Sequence, residues 1–582
     1  MTTQPMSTQA GRGTAPARLR RLSATLATVA ALAAAAPAVA PAQGTTGPTG
    51  TSGTPGTAAA PIPPRLVVLL VVDGLPQRRL VQLRDQFAPD GLRRFLDRGV
   101  WYANAHYGQA HTVTAPGHAV MLTGAYPQRT GIVGNEWIDP ATREPVYNTQ
   151  DTRCQYINHK TEPLSGTGPR MLLSETVGDV LRGAQPQSKV IGISGKDRGA
   201  ILPAGHRGTA YMYMSSTGQF ASSTCYMPEH PNWVEAFHAG KRADAFFGKT
   251  WAPLLEPAAY ARSVPDGQSW QSNSGNGNRL PAVIGARMDG PGPMFYGNLL
   301  ASPFGDEVTL AFARAAIEGE ALGADDAPDI LVVSLSSHDY VNHAFGPESR
   351  LSHDHLLHLD RHVQAFFQYL DARVGAGRWL AALTADHGFA DTPEWAASQG
   401  RDARRVSGSQ LLAQVNADLS QAFGPGRWVT HSTAMGFLFD EALILERGLK
   451  PDEVYAAARA SLLRHPDVQA AFTREQLRAT RPPGEPFAMQ VHKTWHPERS
   501  PPVIFVLRHG RFFGSRPVGS THGSPHPYDT HVPIMLWGPA WVGRGEVREP
   551  VEVADIAPTL ARVLGVPAPR DSQGRVLPAP RP

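Results

Sequence analysis

Three short apolar runs in this sequence each end in residues able to hold a divalent cation. Residues 66–72 lead into Asp73-Gly74. Residues 330–335 lead into Ser336-Ser337-His338-Asp339-Tyr340-Val341-Asn342-His343, and residues 380–384 into Ala385-Asp386-His387-Gly388. Aspartate oxygens and imidazole nitrogens are the donors that a borderline ion such as zinc takes. Asp339 and His343 are four residues apart, so one helical turn would set both on one face. A lone Asp–His pair is ordinary; three such clusters at strand ends point to metal-dependent chemistry. A candidate nucleophile lies in His111-Thr112-Val113-Thr114-Ala115-Pro116-Gly117-His118. The residues after Thr114 read as helical, which puts Thr114 at a helix N-terminus, where unpaired N–H groups and the helix dipole favour an anion. A threonine there is commonly only a cap.

These clusters need a scaffold that delivers strand ends to one rim. Residues 66–72 form an unbroken run of Leu and Val, as in a strand buried on both faces of a parallel sheet. Similar runs occur at 189–193, 330–335, 380–384 and 532–536, with amphipathic helical patterns at 91–98, 172–181, 307–318, 353–374 and 553–564. Strand alternating with helix gives the α/β class: a central, mostly parallel sheet with helices on both faces. Its sites lie beyond the carboxyl ends of the strands. Two stretches break the rhythm, at about 200–303 and 394–501, and are expected to be insertions that cap the sheet. The catalytic domain is expected to span 65–582.

The chain has 582 residues, 42% hydrophobic and 18% charged, which excludes collagen, coiled coil and wholesale disorder. The net charge of +4 would normally raise nucleic acid as a partner. However, Arg12, Arg18, Arg20 and Arg21 account for the whole excess of basic over acidic residues, and they lie in 1–42. No nucleic acid binding is therefore expected. Basic residues, then an apolar stretch rich in alanine, then Ala40-Pro41-Ala42 make the layout of a cleavable export signal over 1–42. The mature chain is thus expected in the periplasm or outside the cell, with no membrane span. A Gly/Thr/Pro-rich linker follows over 43–64. The two cysteines, Cys154 and Cys225, can pair in an oxidising compartment, but spacing does not show that they meet.

In order along the chain come Asp73-Gly74, Thr114-Ala115-Pro116-Gly117-His118, Gly131-Ile132-Val133-Gly134-Asn135, Asp339 through His343, Asp386-His387-Gly388 and Thr521-His522-Gly523-Ser524-Pro525. This set resembles the alkaline phosphatase superfamily over nearly all of 66–577. Within it the chain is similar to the threonine-nucleophile bacterial alkaline phosphatases of the phosphate-irrepressible type, relatives of the nucleotide pyrophosphatase/phosphodiesterases.

The resemblance implies two zinc ions per subunit. Asp339, His343 and His522 would hold one; Asp73, Asp386 and His387 would hold the other, with Thr114 as its exchangeable ligand. It further implies that Thr114 forms a covalent phosphothreonine and that Asn135 donates to a phosphoryl oxygen. In Gly195-Lys196-Asp197-Arg198-Gly199, an extended backbone would send Lys196 and Arg198 out on one face. They resemble the Lys/Arg pair of the monoesterase branch, which the diesterase relatives lack. His118, His338, His526 and His531 are expected to be structural. Sulfatases are excluded, because Thr114 and His118 stand where their modified residue and arginine would be. The expected activity is hydrolysis of small phosphate monoesters to inorganic phosphate, with phosphodiesterase or nucleotide pyrophosphatase action on the same site as the alternative.

Overall fold

The computed structural model describes residues 62–433, 435–479, 484–514 and 516–580. The expected export signal and nearly all of the linker lie outside them. Nine strands make the central sheet: β1 (Leu66–Val72), β2 (Val100–Tyr102), β3 (Val190–Ser194), β4 (Thr209–Met214), β5 (Gln219–Ala221), β6 (Asp329–Leu335), β7 (Trp379–Thr384), β8 (Ile534–Trp537) and β9 (Gly545–Val547). Their spatial order is β9-β2-β8-β7-β1-β6-β3-β4-β5. From β7 to β4 the strands run parallel. The sheet is therefore mostly parallel, as the alternating pattern requires. β8 departs from that pattern: it pairs antiparallel with both β7 and β2.

All seven residues of β1 are fully buried, which is why the run carries no polar alternation. Register decides what the rim receives. Val72 lies opposite Leu335, Val71 opposite Thr384, and Ser334 opposite Ser194. β1, β3, β6 and β7 thus end at one level, and Asp73, Lys196, Asp339 and Asp386 issue from neighbouring strand ends.

Six helices position the rest: α1 (Thr114–Thr123), α2 (Asp197–Ala204), α3 (Pro303–Gly319), α4 (Ser337–Phe345), α5 (Arg350–Leu370) and α6 (Ile556–Leu564). Every residue of α1 is buried, so it shows no polar face. The helix expected over 172–181 starts later, at Val177, because Thr176 caps it. The Thr176 hydroxyl accepts from Asp179 N–H (3.1 Å), and Asp179 Oδ2 accepts from Thr176 N–H (2.8 Å).

Both insertion boundaries shift. The first was set at about 200, yet α2, β4 and β5 belong to the main sheet and its packing. The aromatic run Thr209–Met214 is a buried edge-side strand and not a loop. The second insertion forms its own four-stranded antiparallel sheet, in the order Val429–Ser432, Gly436–Phe439, Val503–Leu507 and Val468–Thr473. Pairing of Arg404–Val406 with Arg511–Phe513 carries it past 501. This unit has its own core around Trp428, Phe437, Tyr455 and Phe505. Cys154 and Cys225 form a disulfide. No helix among the described residues is long and apolar enough to cross a membrane.

One contact locks α1 against the end of β7. A methyl group on Gly117 would lie 2.2 Å from the Asp386 carbonyl oxygen and 2.8 Å from the Asp386 Cβ. Gly117→Ala is therefore expected to push α1 off the Asp386 segment and destabilise the protein by about 1–3 kcal/mol. Urea denaturation reads this as a lowered midpoint; an unchanged midpoint would show that the contact is slack.

Candidate active site

The rim gathers the expected ligands into two groups: Asp339, His343 and His522, and Asp73, Asp386 and His387. In each group one ligand atom per residue lies within 4.8 Å of the others. Asp73 follows β1 directly, and its N–H is held by the Leu335 carbonyl (3.1 Å). Gly74 then turns the chain at φ 71°, and its N–H donates to Asp386 Oδ1 (3.0 Å). A side chain there would be strained and would meet Phe389 and Asp339 at 3.1–3.2 Å. On α4, Asp339 and His343 stand one turn apart, with Nε2 of the histidine 3.4 Å from Oδ1 of the aspartate. His522 Nε2 approaches the same oxygen at 3.7 Å.

The imidazoles are oriented alike. His343 Nδ1–H donates to the Ser520 carbonyl, His387 Nδ1–H to Gly388 and His522 Nδ1–H to Thr112, each at 2.9 Å. Nδ1 therefore carries the proton, and every Nε2 presents a lone pair to the centre. Burial pushes His387 down to about 4 against the pull of Asp339 and Asp73. Burial, with His387 beside it, holds His522 well below the usual imidazole range. Both rings are thus neutral near pH 7, the form that binds a metal. Asp73 Oδ1, Asp339 Oδ1, Asp386 Oδ2 and His387 Nε2 are buried without a hydrogen-bond partner. Burial first, and then Asp73, push the Asp386 carboxyl well above its usual range. Orphaned oxygen and imidazole donors converging this closely fit a site for divalent cations.

Lys196 stands at the junction of the two groups. Its ammonium is 2.7 Å from Asp73 Oδ2 and 2.6 Å from Asp339 Oδ2. Burial alone would lower its pKa; Asp339 and Asp73 outweigh that and raise it. The extended segment expected at Lys196 ends there: Lys196 is itself extended (φ −124°, ψ 136°) as the N-cap of α2, and Arg198 is in the helix's first turn. The two reach one region by a bend, and not by strand alternation. Arg198 Nη1 donates to the Tyr147 hydroxyl (3.2 Å), which donates to Asp197 Oδ1 (2.7 Å).

Thr114 is the first residue of α1, with Val113 at the cap position. His118, one turn on, donates from Nδ1 to the Thr114 carbonyl (2.9 Å) and lies 3.5 Å from Asp386 Oδ2. The helix N-terminus is thereby set beside the second ligand group. The next N–H, that of Ala115, donates to Asn135 Oδ1 (2.8 Å). This bond fixes the amide orientation and leaves the Asn135 Nδ2 as a free donor.

His526 and His531 lie outside both groups and bond the Leu507 and Ala103 carbonyls. His338 meets His355 instead of a ligand. Several neighbours of the site carried no sequence signal. Tyr147 and Asp197 anchor Arg198, and Phe389 packs its ring 4.9 Å from His343 and 5.1 Å from His522. Asp529 Oδ2 accepts from Gly523 N–H, Ser524 N–H and the Ser524 hydroxyl, holding the His522 loop. The carbonyls that orient the histidines have no side-chain signature at all.

The profile of the family "Type I phosphodiesterase / nucleotide pyrophosphatase" matches residues 67–529. The chain is 32% identical over 518 residues to the alkaline phosphatase PafA of Elizabethkingia meningoseptica, covering 88% of this chain and 93% of that one. It is 33% identical over 527 residues to the alkaline phosphatase PhoV of Synechococcus elongatus, covering 88% and 92%. Among solved structures, the crystal structure of wild-type alkaline phosphatase PafA superposes with a TM-score of 0.82 at 32% identity, covering 89% of this chain and 99% of that one.

Proposed function

The chain belongs to the type I phosphodiesterase/nucleotide pyrophosphatase family of the alkaline phosphatase superfamily, and from that premise we propose that it is an exported phosphatase that hydrolyses phosphate monoesters through a phosphothreonine. The observation that carries this reading is the convergence of two carboxylate–imidazole groups, a threonine at a helix N-terminus, and Lys196 on one rim. Each group would hold one zinc ion; bound ions would lower the pKa of the nucleophile and stabilise the departing oxygen.

The chain's own residues do the rest. Thr114 Oγ1 forms the bond to phosphorus while the bond from phosphorus to the ester oxygen breaks, and the alcohol departs. Water then cleaves the phosphothreonine, giving inorganic phosphate and free Thr114, so one water is consumed per turnover. The first turn of α1 contributes a field that favours the threonine oxyanion. Asn135 Nδ2, Lys196 and Arg198 donate to the non-bridging oxygens, where a monoester carries more negative charge than a diester. Tyr147 and Asp197 hold the guanidinium in place for that contact. The export signal read in residues 1–42 supports a periplasmic or secreted location.

Thr114→Ala is expected to abolish acid-stable labelling by a radiolabelled monoester and to lower turnover on the order of 10³-fold or more, with zinc content retained. Label persisting in that variant would rule out the phosphothreonine. Lys196→Ala and Arg198→Ala are expected to lower kcat/KM about 10²–10³-fold for p-nitrophenyl phosphate, and less than about tenfold for its bis ester. Tyr147→Phe is expected to move the same ratio in the same direction by a smaller factor. Equal losses on both esters, or a wild-type preference for the bis ester, would favour the phosphodiesterase reading instead.

A further inference from the structure

Beyond His343 and His522 the site opens into a cavity of about 400 Å³, walled partly by the second insertion. Asn135, His343 and His522 are among its lining residues, so it is continuous with the ligand groups. Its lining also includes Val113, Met435, Phe512, Phe513 and Tyr528. Val113, Phe512, Phe513 and Tyr528 are only partly buried, which leaves apolar surface among the lining residues. Pockets that take small organic ligands run from about 300 to 1,000 Å³, and this one lies near the lower end.

The charged groups around it are already committed. Arg511 bonds Asp467 Oδ1 (2.8 Å), the Asp402 carbonyl (2.6 Å) and Asp402 Oδ1 (2.6 Å). Asp529 holds the His522 loop. His111, whose Nδ1 bonds the Gly523 carbonyl, is kept neutral near pH 7 by burial. Among the described residues lining the cavity, none offers a free cation for a second phosphate.

On the proposed monoesterase reading, the group that departs from phosphorus does so on the side of Asp339, His343 and His522, which is the side where the cavity begins. We infer that this chamber receives the leaving group, and that the substrate class the enzyme favours is the phosphate monoester of a flat, apolar, aromatic alcohol. Phe512 and Phe513 then act as specificity-determining residues supplied by the insertion. Phe512 suits the role because its ring is backed by the Arg405 guanidinium at 5.1 Å, which leaves the other face for a ligand ring.

The test compares 1-naphthyl phosphate with phenyl phosphate; the small difference in acidity of the leaving phenols is common to wild type and variants, so a change in their ratio on substitution reads ring size. The wild type is expected to show a kcat/KM at least about tenfold higher for the naphthyl ester. In Phe512→Ala that ratio is expected to fall towards one. Phe513→Ala, tested in parallel, should move it the same way, so the test does not depend on one variant folding. Equal kcat/KM for the two esters in the wild type, a ratio untouched by both variants, or a preference for pyrophosphate over the naphthyl ester would overturn the inference while leaving the monoesterase reading standing. No hydrolysis of any monoester would overturn both.

Discussion

Three buried carboxylates, those of Asp73, Asp339 and Asp386, all come within 3.9 Å of one nitrogen, His387 Nε2. Like charges at this spacing in a protein interior are costly unless cations offset them. Much of the site answers that cost. Lys196 bridges two of the carboxylates, Gly74 N–H donates to the third, and His343, His387 and His522 each keep a lone pair turned inward through an Nδ1–H bond to a backbone carbonyl. The arrangement calls for divalent cations, and two groups with three protein ligands each leave room in the coordination sphere for substrate.

Such a cluster can be assembled only if strand register is held tightly. A slip of one residue between β1 and either neighbour would turn a ligand towards the opposite face of the sheet. The wholly buried, wholly apolar β1 prevents this, because any slip would carry its neighbours' polar ends into the core. Peripheral elements serve function in the same physical terms. The hairpin Glu136–Ile138 with Pro145–Tyr147 starts next to Asn135 and ends on Tyr147. One small unit thus ties together the Asn135 amide and the Tyr147 hydroxyl that accepts from Arg198. Asn148 reinforces it by donating its backbone N–H to the Asn135 carbonyl (3.3 Å).

The parallel core and most of the candidate metal-ligating residues are legible in the sequence because a buried parallel strand leaves an apolar run that stops abruptly where polar residues begin. Asp73 follows its run directly, Asp386 follows its own after one intervening residue, and Asp339 follows Leu335 after three, on the helix that comes next. His522 does not follow one, and only its resemblance to a family motif singled it out. At Lys196 and Arg198 the expected extended backbone goes no further than Lys196, because α2 starts at Asp197. Tyr147 and Asp197 stayed hidden because their roles depend on a hairpin and a helix meeting in space. The first insertion boundary was misjudged because an aromatic strand near a sheet edge, Thr209–Met214, looks in sequence like loop. The antiparallel β8 was missed because strand direction leaves no trace in a four-residue apolar run.

The central claim is that each of the two groups holds a zinc ion. Anomalous diffraction at the zinc absorption edge, from crystals of protein purified without chelators, tests it directly. The account requires two zinc peaks, one among Asp339, His343 and His522 and the other among Asp73, Asp386 and His387. A single peak, no zinc signal at either group, or zinc bound elsewhere with both groups empty would contradict it.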